Sequence, residues 1–236
     1  MWISSILLPL LMHALGLLWP VQGQQALSPP PMPSAIASGS DSIEVTWAAP
    51  KNPDPRLGYY MVQCYRPGAK DEVITTVRPF EALSAEVHSL EPNTLYECAL
   101  IAHPRIRDKR IVSSPSQRSS LALTWPAKPS EPTQITVTAV NSTAVQIYWD
   151  APLISNGDMT KYEVVVYDSS NKLLKTYTET KRGVYSSVLN GFQPFTTVSL
   201  AVRAYTQPNT DNKGGGFGGF SAKMPVTLKG AGELLK

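Results

Sequence analysis

The 236-residue chain reads as all-β, two tandem seven-stranded β-sandwiches following a secretory signal peptide. Three observations predict this. A block of sequence recurs at a constant offset of 102 residues. Within each copy, apolar residues alternate at period two over short runs, the pattern of half-buried strands. The 21 prolines, with clusters of glycine and asparagine, punctuate those runs, and no stretch keeps helical spacing.

Residues 1–23 stand apart. They hold no Asp, Glu, Lys or Arg, run through Ile3, Leu7, Leu11, Leu15 and Trp19, and end on Val21-Gln22-Gly23. This predicts a signal peptide cleaved after about Gly23, with an uncleaved signal anchor as the alternative; Pro9, Pro20 and the Val-x-Gly ending favour cleavage. Residues 24–28 are expected to be an N-terminal tail and residues 230–236 a C-terminal tail. The last eight residues, "KGAGELLK", lack the hydrophobic run of a lipid-anchor signal. The expected product is secreted and extracellular, and membrane attachment would need an anchor beyond these residues.

The repeat is exact in spacing. "IEVTWAAP" at 43–50 matches "VQIYWDAP" at 145–152, aligning Trp47 with Trp149. The same offset aligns Tyr60 with Tyr162, Leu90-x-Pro92-x-Thr94 with Phe192-x-Pro194-x-Thr196, and Ala102 with Ala204. Taking the elements in order, Ile43, Val45 and Trp47 share one face of the first clear strand, as do Val145, Ile147 and Trp149 in the second copy. Tyr60, Val62 and Cys64 face inward from the next run, matched by Tyr162, Val164 and Val166. Tyr96, Cys98, Leu100 and Ala102 form the third, matched by Val198, Leu200, Val202 and Ala204. About seven short strands in a hundred residues make a two-sheet sandwich. The core of each is built on Trp47, Tyr60 and Tyr96, and on Trp149 and Tyr162.

A tryptophan strand ending in Ala-Pro, a "Y-x-V-x-Y"-like strand and "L-x-P-x-T-x-Y" ahead of the third run resemble the fibronectin type III domain, an immunoglobulin-like sandwich. "PSEPTQITV" at 129–137 is similar to that family's first strand. The resemblance covers nearly all of residues 29–229. It divides the chain into a first domain at 29–125, a Pro-rich linker at 126–131 and a second domain at 132–229. "PPPMPSAIAS" is a weak first strand, and Val198 stands where the family has its corner tyrosine. The resemblance implies that Tyr96 bonds through its hydroxyl to backbone and that the second copy lacks that bond. The linker region "WPAKPSEP" is expected to be stiff, with Trp125 either packed at the junction or ending the last strand of the first domain.

The resemblance also places Cys64 and Cys98 on neighbouring strands C and F of one sheet, facing inward. They form either a disulfide, stabilising by about 3–4 kcal/mol on the chain-entropy model, or two buried thiols. Asn141-Ser142-Thr143 is a candidate N-glycosylation site on the turn between the first two strands of the second copy.

Chemistry is absent from the pattern. Outside the leader the histidines are His88 and His103, and neither shares metal-ligand spacing with a cysteine or with the other. There is no Gly-x-Ser-x-Gly elbow. "GGGFGGF" at 214–220 precedes neither helix nor lysine and reads as a flexible hairpin loop. No enzyme activity, cofactor or metal is expected. The net charge of +3 is too small to suggest nucleic acid. What remains is binding. The chain has no Arg-Gly-Asp and no Trp-Ser-x-Trp-Ser. It does have "HPRIRDKR" at 103–110, between strands F and G of the first copy, with Arg105, Arg107, Lys109 and Arg110 around Asp108. That loop reads either as a solvated hairpin tip or as a site for an acidic surface of an extracellular or cell-surface protein. A sulfated glycan such as heparan sulfate is the further alternative, as is a role as the ectodomain fragment or accessory module of a larger receptor or enzyme.

Overall fold

The computed structural model describes residues 25–68, 73–180 and 185–230. The expected signal peptide lies outside them. Among the described residues, fifteen strands make two sandwiches. In the first, β1 (Ser34–Ala37), β2 (Ile43–Thr46) and β5 (Ser84–Val87) form one sheet in the order β1-β2-β5. β4 (Val73–Pro79), β3 (Leu57–Tyr65), β6 (Leu95–Pro104) and β7 (Ala122–Leu123) form the other in that order. The second sandwich pairs β8 (Thr133–Asn141), β9 (Ala144–Asp150) and β12 (Ser186–Asn190) in one sheet. Facing it are β11 (Leu173–Glu179), β10 (Met159–Tyr167) and β13 (Thr197–Thr206), with β14 (Gly216–Phe217) and β15 (Met224–Thr227) both on the edge of β13.

Alternation explains the cores. Ile43, Val45 and Val62 are fully buried between the sheets of the first sandwich, as are Val145, Ile147 and Val164 in the second. Trp47 meets Tyr60 edge-on at 5.6 Å, and Trp149 meets Tyr162 at 5.3 Å. The weak first strand is only four residues long, against nine for β8. The hydroxyl of the buried Tyr96 accepts a hydrogen bond from the Glu91 N–H at 3.0 Å, and Val198 fills the corresponding place as plain hydrocarbon.

Register carries the repeat into three dimensions. Tyr60 lies opposite Ala102 and Tyr162 opposite Ala204. Cys64 lies opposite Cys98, and the two are joined as a disulfide between fully buried side chains. Both backbone groups of Cys98 bond to Ser119 on the far edge of β6. The cysteines are therefore a non-hydrogen-bonded pair, where facing side chains come closest, and their Cα atoms are 4.1 Å apart. Val166 and Leu200 occupy the same slot in the second sandwich.

The last edge of the first sandwich differs from a plain strand. Ser113, Ser116 and Ser119 each donate a backbone N–H to a β6 carbonyl, of Ala102, Leu100 and Cys98 in turn. Each hydroxyl accepts the N–H of that same β6 residue at 2.8–3.0 Å. Side chain plus backbone thus satisfy the edge of β6 once every three residues, the period of polyproline II backbone. The signal was in the sequence as Ser-x-x-Ser-x-x-Ser. Ser221 does the same for Val202 in the second sandwich.

Two expectations are corrected at the domain ends. Leu27, placed in the N-terminal tail, is 4% exposed and donates its N–H to Ile111, so it belongs to the first core. An apolar side chain here closes the open end of the sandwich. The glycine run is not a free loop. Gly215 N–H donates to Pro126 O, and a Cβ on Gly214, at φ +72°, would fall 2.1 Å from that same oxygen. Glycine is there so that the loop backbone can lie directly on the linker. On the linker's other side, Ala127 and Ser130 donate to Asn156 and Ile154. Trp125 lies two residues beyond the end of β7 and touches both sandwiches. Its backbone bonds to Gly39 and Asn93 of the first sandwich, and Lys213 of the second lies 5.0 Å over its ring.

Candidate binding loop of the first sandwich

The basic segment begins inside β6, since His103 and Pro104 are its last two residues. The chain then turns across the start of β3, where a Cβ on Gly58 would meet Arg105 Cα at 2.7 Å. The absence of that atom lets the loop close down on β3. Arg105 is consumed by this closure. Its N–H donates to Arg56 O, its Nε donates to Leu57 O at 3.1 Å, and its guanidinium lies 5.3 Å over the Phe80 ring.

Asp108 caps a short 3-10 turn, Lys109–Ile111, by accepting the Arg110 N–H at 3.0 Å. The Arg110 guanidinium returns to the same carboxylate at 2.9 Å and holds the carboxyl below the usual range, chiefly through that side-chain hydrogen bond. Arg110 is thus partly neutralised within the loop. Beside the loop, Asp54 is held at about 2 by its side-chain hydrogen bond with Arg56. Of the four predicted cations, Arg107 and Lys109 remain. Both are exposed, and among the described residues neither makes a hydrogen bond or ion pair.

These two cations line a cleft of about 300 Å³ with Tyr59, His103, Pro104 and Ile106, and the Asp108 carboxylate that also lines it is the one paired with Arg110. Tyr59 and His103 stack face to face, with ring centres 4.7 Å apart and planes 8° from parallel. Burial pushes the His103 imidazole below its ordinary pKa, so at neutral pH it is an uncharged ring. Its Nε2 is shielded and has no hydrogen-bond partner among the described residues. Ile106 is 62% exposed at the tip. The cleft therefore offers an apolar, aromatic wall under two cations.

The charged half of this site was legible in sequence; the wall was not. Alternation puts Tyr59 and His103 on outward faces of their strands, but they become neighbours only through the register that sets Tyr59 opposite His103. Asn141, the candidate glycan acceptor, ends β8 and is exposed. Its side-chain oxygen accepts from Thr143 N–H at 2.8 Å and from the Thr143 hydroxyl at 3.1 Å, an Asx turn. No group of three or more His, Cys, Asp and Glu side chains among the described residues is placed to hold a metal ion, and no described helix is long and apolar enough to cross a membrane.

Comparison with known proteins gives a consistent result. The family model described as "Fibronectin type III domain" matches residues 28–118 and again 130–214. Among curated relatives, Usherin of Homo sapiens is 26% identical over 206 residues, 83% of this chain and 4% of that protein. Tyrosine-protein phosphatase Lar of Drosophila melanogaster is 25% identical over 225 residues, 89% of this chain and 11% of its own length. Cell adhesion molecule Dscam1 of the same species is 25% identical over 191 residues, covering 75% of this chain and 9% of itself. The chain spans about a tenth or less of each of these relatives.

Proposed function

Because the chain belongs to the fibronectin type III family, in two successive copies, we propose that it is a non-enzymatic extracellular binding module that engages a partner protein through the loop after β6. The observation that carries this is the cleft under Arg107 and Lys109. Exposed cations above a stacked Tyr59–His103 wall and an exposed Ile106 suit an acidic segment with an apolar or aromatic side chain among its carboxylates. A sulfated glycan would use only the two cations and leave the apolar wall without a partner, so the protein reading is preferred. Extracellular placement is supported by the leader-like residues 1–23, by the disulfide and by the likeness to a protein named as a cell adhesion molecule. The small share of each relative that is covered supports a place within a larger receptor or adhesion protein.

The test is capture on intact cells. Biotinylated chain should bind saturably, and Arg107→Ala with Lys109→Ala should weaken binding by about tenfold or more, with a smaller salt dependence. Arg105→Ala and Arg110→Ala, whose cations are already engaged, should do less. Equal binding by the Arg107/Lys109 variant would sink the loop as the site. Loss of binding after heparinase treatment would favour the glycan reading instead.

We also propose that Asn141 carries an N-glycan. Protein secreted from a eukaryotic host should shift in gel mobility on glycosidase treatment, and Asn141→Gln should remove the shift. Secreted protein whose mobility is unchanged by glycosidase would refute it.

A further inference from the structure

The outward faces of β3 and β10 occupy the same place in the two sandwiches and carry opposite chemistry. In the first sandwich, Met61 lies opposite Val77 on one side and Ile101 on the other. The next outward row sets Pro79, Tyr59 and His103 side by side. Directly opposed residues of antiparallel strands share a face, so these six side chains make one patch with no Asp, Glu, Lys or Arg in it. Val77, at its edge, is 55% exposed. The same two rows of the second sandwich hold Thr178, Glu163 and Arg203, then Lys161 beside Tyr205. There Arg203 donates to the Glu163 carboxylate at 2.6 Å and lies over the Phe217 and Phe220 rings at 4.2 and 4.3 Å. Lys161 sits over Tyr205 at 4.2 Å. The second sandwich thus pairs and covers this face with its own residues. Along the edge of β6, residues 112–120 hold no aromatic residue that could do the same for the first.

The fold therefore does not require an apolar outward face, since its sibling stands with a charged one. What the patch adjoins says what it is for. Tyr59 and His103 belong both to the patch and to the cleft under Arg107 and Lys109, so the apolar surface continues from the cleft onto the sheet. Its far end is polar and already satisfied. Arg118 pairs with Glu97 and lies 4.4 Å over the Tyr65 ring, and the Tyr65 hydroxyl donates to Gln63 at 2.7 Å. An apolar centre with uncommitted cations at one end and a paired polar rim at the other is the layout of a protein–protein contact. A carboxylate-bearing protein that also presents apolar side chains complements both parts.

We propose that the partner protein engaged by the loop after β6 also covers the outward face of β4, β3 and β6, setting apolar side chains over Val77, Met61 and Ile101 while its carboxylates meet Arg107 and Lys109. This rests on the reading of that loop as the binding site, and the test separates the two. Met61→Glu with Val77→Thr and Ile101→Arg writes the second sandwich's own residues into the first, with no change in net charge. Biotinylated triple variant should bind intact cells at least about tenfold more weakly than the natural chain. Its residual binding should keep the natural salt dependence, because both cations remain. Should the triple variant lose its cooperative melt, Val77→Lys alone takes its place. A new cation there favours an acidic partner, so weakening by about threefold or more reports lost apolar contact. Full binding by these variants, beside weakened binding by the Arg107/Lys109 variant, overturns the covered face and leaves the loop reading standing. Weakened binding by the triple variant, beside full binding by the Arg107/Lys109 variant, overturns the loop reading and with it a partner spanning both. A natural chain that sediments as a dimer, which the triple variant loses, makes the occupant a second copy and overturns the proposal too.

Discussion

Trp149→Ala lowers the stability of the second sandwich by about 3–5 kcal/mol. The indole is 2% exposed and packs on Tyr162 between two sheets, so its removal loses both the transfer of a large apolar surface and the contacts lining the space left behind. Against a typical domain stability of about 5–15 kcal/mol, this takes much or all of the margin. The first sandwich has a separate core around Trp47 and should keep its own transition. Urea unfolding, followed by near-ultraviolet circular dichroism, should show one transition moved to much lower denaturant and one nearly unmoved. A shift worth less than about 1 kcal/mol would mean that the indole is not what holds the two sheets together.

Replacing Cys64 and Cys98 together by alanine costs the first sandwich about 4 kcal/mol on the loop-entropy model, for the separation of 34 residues. Some further loss follows from underfilling a fully buried site. The second sandwich provides its own comparator. Val166 and Leu200 hold the same cross-strand slot without a covalent link. Cys64→Val with Cys98→Leu should therefore recover part of the packing while still losing the cross-link, and should fall between the natural chain and the double alanine. Because both sulfurs are buried, reductant should act slowly on the folded protein and fast once urea opens it. An unchanged urea midpoint after full reduction would show that the bond adds nothing to stability.

Particular residues show where local sequence stops informing. The inward faces of Cys64 and Cys98 follow from alternation alone, yet their pairing depends on β3 and β6 meeting without a one-residue slip, which would turn one sulfur to the opposite face. The cations of residues 103–110 are plain in the sequence. That Arg105 is spent on Leu57 and Phe80 is not, because those partners arrive from a strand and a turn about 48 and 25 residues away. Phe195 reads as one more apolar residue in a turn. Its left-handed backbone and its exposure appear only when the turn is built. The glycines of 214–220 looked like freedom and are contact, since what they touch is a linker more than eighty residues earlier in the chain.

By itself, the sequence determined the all-β class, the number of sandwiches, the core residues of each and the place of the basic loop. These rest on period-two alternation and a constant offset, which are written within a few residues of each position. Only the tertiary structure decided which cations stay uncommitted, what wall lies under them, which groups meet at the junction and which apolar ring is left outside. Each of those depends on strand register and loop closure, where residues distant in the chain compete for one another's hydrogen bonds and surfaces. No local period encodes the outcome of that competition.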